Sequence, residues 1–260
     1  MHYKTILVHI DGSVQARDRI VVAAQIASIE HAHLVGLATQ PVLPAASHQI
    51  LAAFDRFETQ ARLAGVSFER RMGPQDSAAN LTLHARYADL IMLSQSNPQD
   101  RDDTTNGQLP EYVTLHAGRP SLVLPHAGVR DRWSQHAIVA WDGSRAATRA
   151  ISDALPLLRA SKLVTVAVFN PEREYGVHGA QPGADIALFL ARHDVHVEVL
   201  QQTTSAGLPI GDALLSLTAD RDADLLVMGA YGHARWHEIL LGGVTRTVLQ
   251  SMTVPVLMSH

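Results

Sequence analysis

The sequence has no cysteine, few aromatic residues (5%) and no excess of positive charge. Without cysteine, disulfides, thiolate metal sites and cysteine nucleophiles are excluded. The formal net charge of −4 comes from interspersed acidic and basic residues, which argues against a nucleic-acid partner. No apolar run approaches the roughly 18 residues of a membrane helix, and the run near the N-terminus is too short for a signal peptide. We therefore expect a cytoplasmic protein that contacts neither nucleic acid nor membrane.

Signatures of catalysis and of metal binding are also missing. The sequence contains no GxSxG or HExxH motif and no paired-carboxylate signature. Its 15 histidines include the close pairs His31 with His33 and His193 with His196, but no further ligands follow at a fixed spacing. We therefore assign no catalytic residue and no metal ligand.

An internal repeat is present instead. Short apolar runs lead into Asp-Gly-Ser within residues 4–13 and again within residues 136–144, an offset of 131 residues. YADLIMLS at 87–94 matches DADLLVMG at 222–229, and the last apolar runs, at 118–125 and 252–258, share a proline. A chain of 260 residues is long enough for two domains. We predict two copies of one unit, residues 1–130 and 131–260, joined near residues 128–135.

Within each copy, short β-branched runs alternate with longer segments of helical period. This pattern is typical of a parallel sheet that is covered by helices on both faces. We predict an α/β fold with two doubly wound, Rossmann-like sheets of five strands. The strands are placed near residues 5–10, 33–38, 66–70, 89–93, 121–124, 137–141, 163–169, 195–200, 224–228 and 254–258.

Four glycines gather in MGAYGHARWHEILLGGVTR, residues 228–246. Gly229 follows a predicted strand, at the edge where ligands of such sheets bind, and glycine lets a bulky group approach the main-chain amides. Gly242 and Gly243 precede a helical run whose first amides attract anions. Between the two pairs, His233 and Arg235 can contact phosphates. The alternative is that each glycine serves only a turn or a helix boundary.

The pattern Gly229-x2-Gly232-x9-Gly242, followed by Val244 and Thr245, resembles the nucleotide-binding signature of the universal stress protein family. The Asp-Gly-Ser openings extend the resemblance to both copies. It implies an ATP-binding fold with strand order 3-2-1-4-5. The sequence departs from the family pattern at Gly243, where serine or threonine is usual, so a hydroxyl that would bond a terminal phosphate is missing.

The resemblance also implies further ligand contacts in the second copy. Asp142 would contact the adenosine, with Ala140 and Trp141 along the same wall, although capping of the next helix competes as an explanation of Asp142. Val168 and Phe169 would present main chain to the adenine, or serve only the core. The full set of expected contacts is Ala140, Trp141, Asp142, Val168, Phe169, Met228, Gly229, Gly232, His233, Arg235, Gly242, Gly243, Val244 and Thr245.

The first copy lacks most of this pattern. Gly229, Gly232 and Gly243 correspond to Ser94, Asn97 and Gln108. The segment also contains Asp100, Asp102 and Asp103, whose charges would repel phosphates by about 1 kcal/mol per close pair in high dielectric. We expect a degenerate nucleotide site there, in which Asp11 only caps a helix. The alternative is a different ligand.

The expected function is that of a stress-response or regulatory protein that binds ATP, ADP or AMP, with or without magnesium, in its C-terminal copy. One alternative is a slow ATPase in which His233 or Asp142 orients water. The other is an interaction protein that needs no nucleotide. Exposed strand edges pair readily, so the resemblance leads us to expect the two fifth strands to pair as an internal pseudo-dimer. Further homo-oligomerisation is left open.

Overall fold

A computed structural model describes residues 2–40, 44–75, 77–96, 108–130, 134–173, 181–205, 207–231 and 243–260 of the chain. The chain divides into two compact units, Met1–Gly128 and Val129–His260. Each unit alternates strands with helices along the sequence.

The first unit contains five parallel strands in the order β3-β2-β1-β4-β5. The first strand, β1, lies in the middle of this order, so the chain adds strands first on one side of it and then on the other. Each connection between parallel strands needs a crossover, which is a helix here. The strands are β1 (Thr5–His9), β2 (His33–Thr39), β3 (Phe68–Gly73), β4 (Leu90–Ser94) and β5 (Ser121–Leu124), and the helices are α1 (Ala16–Glu30), α2 (Pro44–Leu63), α3 (Ser77–Ala85) and α4 (Leu109–His116).

The second unit repeats this arrangement in the order β8-β7-β6-β9-β10. Its strands are β6 (His136–Ala140), β7 (Leu163–Phe169), β8 (Val197–Gln202), β9 (Leu225–Gly229) and β10 (Val256–Ser259), and its helices are α5 (Arg145–Ala160), α6 (Ala184–Arg192), α7 (Ile210–Asp220) and α8 (Gly243–Ser251).

Burial explains the composition of these strands. The central strands β1, β4, β6 and β9 are almost entirely apolar and buried, as expected where helices cover both faces. In contrast, β3 (FERRMG) and β8 (VEVLQQ) lie at one end of their strand orders, and all of their residues except Gly73 are half-buried or exposed. Their polar residues face solvent, because a strand at the margin is covered less completely.

The α/β class and the parallel pairing are confirmed, and each of the ten predicted strands is present. The predicted and observed strand ends differ by at most three residues. The largest difference is in β3, which we expected near residues 66–70. Within the part of the chain that the structure describes, no helix is both long and apolar enough to cross a membrane. The cytoplasmic location and the pairing of the two fifth strands stay predictions.

Candidate functional site

The candidate site lies at the carboxyl edge of the second unit, where the winding of the chain reverses. Strand β6 pairs with β7 on one side and with β9 on the other, with Ile138 opposite Leu226. The chain leaves β6 toward β7 and β8, and leaves β9 toward β10, in the opposite direction. Ligands of open α/β sheets bind outside the strand ends at such a reversal. Trp141 and Asp142 follow β6 there, so both lie at the predicted place.

A turn between β6 and α5 positions Asp142. The Ser144 N–H donates to Asp142 Oδ1 at 2.9 Å, and the Ala147 N–H donates to Ser144 Oγ at 3.1 Å. Ser144 is therefore the residue that caps α5. The helix-capping alternative for Asp142 is wrong in this respect, because its carboxylate orders the preceding turn instead. Ala140, Trp141 and Asp142 are all half-buried and line the edge of the sheet.

Gly229, the last residue of β9, lies against the first turn of α5. A Cβ atom at this position would be 2.5 Å from the Ala147 nitrogen and 2.7 Å from the Ala146 carbonyl carbon. Its missing side chain is therefore required by the helix, which corrects the expectation that this glycine makes room for a ligand. Met228, one residue earlier, is buried in β9 opposite Met258, so it serves the core.

The main chain beyond β9 is partly engaged by the protein itself. The Ala230 N–H donates to the Ser259 carbonyl at 2.8 Å, and the Tyr231 N–H donates to Thr245 Oγ1 at 3.3 Å. The expectation of approachable amides is therefore wrong for these two residues. The second bond also places the first turn of α8 beside the end of β9, because Thr245 is the third residue of that helix.

The start of α8 is open on one side. A Cβ atom at Gly243, the first residue of the helix, would have no neighbour within 4 Å among the residues that the structure describes. Val244 is half-buried and Thr245 is buried. The predicted contacts Gly232, His233, Arg235 and Gly242 lie outside the described residues.

At the end of β7, the structure separates the two predicted adenine contacts. Val168 is fully buried and pairs with Gln201 of β8, so it belongs to the core. Among the described residues, the last main-chain bond between the ends of β6 and β7 runs from the Trp141 N–H to the Ala167 carbonyl, at 2.9 Å. Phe169 extends two residues beyond that bond and is half-buried, so it does lie at the edge.

A pair of hydrogen-bonded residues next to Phe169, Asn170 and Thr204, was not predicted from the sequence; we call this pair the Asn170 clamp. Asn170 is buried and has a left-handed backbone, with φ of 51°. Its Oδ1 accepts from the Thr204 N–H at 2.9 Å, and its Nδ2 donates to Thr204 Oγ1 at 3.1 Å. The clamp joins the chain beyond β7 to the chain beyond β8. An asparagine directly after a β-branched run was the available signal, since asparagine tolerates this conformation.

A second missed pair lies beyond β9. The rings of Tyr231 and His260 meet edge to face, with centroids 5.9 Å apart. His260 Nδ1 lies 3.0 Å from the carbonyl oxygen of Ala230. Tyr231 also has positive φ, 63°, and this backbone conformation sets the direction of its ring. A residue pattern alone does not predict that direction.

The same edge of the first unit is organised differently, around Arg19 of α1. The guanidinium is 1% exposed; its Nε donates to the His9 carbonyl and its Nη1 donates to Ser94 Oγ, each at 2.6 Å. Its Nη2 lies 3.0 Å from Asp11 Oδ1. Asp11 also accepts hydrogen bonds from the main chain and the hydroxyl of Ser13. The expectation that Asp11 only caps a helix is therefore wrong.

Electrostatics fix the charge state of this cluster. Burial by itself would raise the pKa of Asp11, but Arg19, His9 and the hydrogen bonds from Ser13 outweigh it and hold that pKa well below its ordinary value. Burial lowers the pKa of His9 from 6.5 to about 4; Asp11 opposes this shift and Arg19 adds to it. At neutral pH the cluster therefore contains a charged Asp11–Arg19 pair and a neutral histidine.

Comparisons with known proteins agree with this architecture. The model of the universal stress protein family matches residues 134–260. A universal stress protein of Mycobacterium tuberculosis is 30% identical over 139 residues, which cover 47% of this chain and 94% of the relative.

Solved structures extend the similarity of fold to the whole chain. A universal stress protein of Archaeoglobus fulgidus matches with a TM-score of 0.74 at 16% identity, covering 98% of this chain and 95% of its own. A putative universal stress protein of Pseudomonas aeruginosa matches with a TM-score of 0.64 at 18% identity, covering 99% and 93%. At these identities the structures support the fold alone.

Proposed function

The chain belongs to the universal stress protein family, and from this premise we propose that its second unit binds an adenine nucleotide, ATP, ADP or AMP, at the carboxyl edge of its sheet. The nucleotide would serve a stress-response or regulatory role rather than fast catalysis. The observation that carries the proposal is the 3.3 Å hydrogen bond between Tyr231 and Thr245, which holds the start of α8 beside the end of β9.

The start of α8 supplies what a phosphate requires. The first four N–H groups of a helix have no partner within that helix, and the helix dipole adds a partial positive charge at this end. Gly243, at the first of these positions, is exposed and has no described residue within 4 Å of where a Cβ would stand, so a phosphate can approach the main chain. Thr245 accepts from Tyr231 through its hydroxyl oxygen, and a threonine hydroxyl can donate one hydrogen bond as well as accept.

The ends of β6 and β7 supply groups that suit the ribose and the adenine. Asp142 offers a carboxylate that can accept hydrogen bonds from ribose hydroxyl groups. Phe169 extends past the last bond between β6 and β7, so its main chain and ring can face an adenine. A phosphate subsite at one end and polar and aromatic groups at the other suit a nucleotide better than a simple anion. Any magnesium would enter with the phosphates.

Calorimetry on the full chain tests the proposal. We expect saturable binding of ATP, ADP or AMP, and weaker binding after Asp142→Asn, which removes the charge but keeps an oxygen that can accept from Ser144. Asp220→Asn, an exposed site in the same unit, is the matched control and should not change affinity. Absence of binding with every adenine nucleotide would contradict the proposal and favour an interaction protein that needs no nucleotide.

The remaining enzymatic alternative has its own measurement. A slow ATPase would release phosphate in proportion to enzyme concentration, and Asp142→Asn would reduce that rate if Asp142 orients the attacking water. A rate that is the same with and without the protein would exclude hydrolysis while leaving nucleotide binding intact.

A further inference from the structure

The crevice at the carboxyl edge of the first unit, between the ends of β1 and β4, contains the guanidinium of Arg19. This side chain extends from α1 and contacts the His9 carbonyl, the Asp11 carboxylate and the Ser94 hydroxyl. Two of the partners follow or end β1 and the third ends β4, so all three line the reversal point of this unit. Its Nε and Nη1 donate hydrogen bonds, whereas Nη2 lies 3.0 Å from Asp11 Oδ1 as an ion pair without hydrogen-bond geometry.

The partners of Arg19 occupy the positions of proposed nucleotide contacts in the second unit. By strand order and by the repeat, His9 corresponds to Ala140, Asp11 to Asp142 and Ser94 to Gly229. The groups that Asp142 and the end of β6 would offer to a nucleoside are therefore already occupied by a side chain in the first unit.

The helix position that carries Arg19 carries alanine in the second unit. Ala150 follows Asp142 by eight residues, as Arg19 follows Asp11, and it is fully buried in α5. A methyl group cannot reach the strand ends. Arg19 therefore fills the crevice of the first unit, whereas Ala150 at the same position leaves the crevice of the second unit without such a side chain.

We propose that Arg19 is an internal occupant that closes the crevice of the first unit to nucleotides, so that each chain binds a single nucleotide. The identity of the excluded ligand rests on the function proposed for the second unit. A nucleoside entering the first crevice would have to displace the guanidinium, which is 1% exposed, from the Asp11 carboxylate. Uncompensated buried charge is costly, so the internal contact prevails.

Binding stoichiometry tests this inference on the full chain. Arg19→Ala combined with Ser94→Gly gives the first crevice the residues that the second has at these two positions, Ala150 and Gly229, and we expect the calorimetric ratio of AMP to chain to rise from one to two. AMP is the probe because its single phosphate requires the least of the phosphate-binding part of the crevice. Arg17→Ala combined with Ser94→Gly is the matched control, since Arg17 is exposed on the same helix, and its ratio should stay at one.

A folded Arg19→Ala, Ser94→Gly variant that still binds one AMP would overturn the inference. A natural chain that binds no nucleotide would instead contradict the proposed function of the second unit, so the two failures are distinguishable.

Guanidinium ion gives a second measurement that does not depend on nucleotide. Arg19→Ala leaves a guanidinium-sized space beside Asp11, so low millimolar guanidinium chloride should raise the melting temperature of this variant by binding its native state. Sodium chloride at equal concentration controls for ionic strength, and the natural chain should show no such increase. This measurement remains possible in a variant that is only marginally folded. An unchanged melting temperature of Arg19→Ala in guanidinium would also overturn the inference.

Discussion

Gly229 lies so close to Ala147 that a Cβ atom on the glycine would be 2.5 Å from the main-chain nitrogen of Ala147. Atoms that are not bonded do not approach so closely without displacement of one element. The end of β9 and the first turn of α5 are therefore in main-chain contact, and this contact brings the helix over the reversal point. Glycine is required here by packing between two elements.

Gly229→Ala should destabilise the second unit. The added carbon meets main-chain atoms of α5, which cannot rotate away, so we expect a loss of about 1–3 kcal/mol in the free energy of unfolding, as for other overpacked positions. Urea unfolding would measure the loss. Gly243→Ala is the control, because a carbon there enters open space and should change stability by less than about 0.5 kcal/mol. Equal effects at the two glycines would contradict the close contact.

Gly243→Ser should strengthen ATP binding by the second unit. The substitution restores a hydroxyl at the start of α8, where the structure leaves space, and one net hydrogen bond is worth about 0.5–1.5 kcal/mol. That range corresponds to an affinity increase of about two- to twelvefold. Calorimetry on Gly243→Ser and Gly243→Ala would separate the hydroxyl from the added carbon. An affinity no higher for serine than for alanine would place the phosphates elsewhere.

The first unit should lose stability as the pH falls below about 6.5, because His9, beside Asp11 and Arg19, is protonated more readily in the unfolded chain. His9 has its pKa lowered from 6.5 to about 4, so the unfolded chain binds the proton more readily. Stability should therefore fall as pH decreases between these values, by an amount on the order of 3 kcal/mol when complete. Asp11, whose pKa is also held low in the folded state, adds a further loss below its ordinary value of 3.8.

Unfolding of His9→Gln and of His48→Gln across this pH range would measure the effect. The first variant removes the buried imidazole, whereas the second removes an exposed one. Only His9→Gln should flatten the dependence between pH 6.5 and 4. An unchanged slope in that variant would show that His9 does not titrate as its burial implies.

The Asn170 clamp should depend on backbone conformation as well as on its hydrogen bonds. Asn170→Ala and Asn170→Gly both remove the bonds to Thr204, but only alanine is strained at a φ of 51°. Both variants should be less stable than the natural chain, and alanine should be worse than glycine by about 1 kcal/mol. Thermal unfolding would rank them. A glycine variant that is less stable than the alanine variant would contradict a strain contribution.

Interactions that are local in sequence, together with the burial pattern, were sufficient to predict the elements. The apolar run of β9 and the β-branched run of β7 were located because a strand covered on both faces must be apolar along its length. Capping of the helix after β6 was considered for Asp142 as the alternative to a ligand contact, and the structure gives that cap to Ser144 instead. The position of the candidate site followed from the strand order, since parallel strands share one carboxyl edge.

The sequence by itself determined the strands, the helices and the edge at which a ligand would bind, because hydrophobic period and turn chemistry act between residues close along the chain. Only the tertiary structure decided what each site residue does. Gly229 is required by α5, Thr245 accepts a hydrogen bond from Tyr231, and Arg19 reaches Ser94 across 75 residues of sequence. These roles depend on distances between elements that are far apart in the chain, and the pattern of one element does not encode its distance from another.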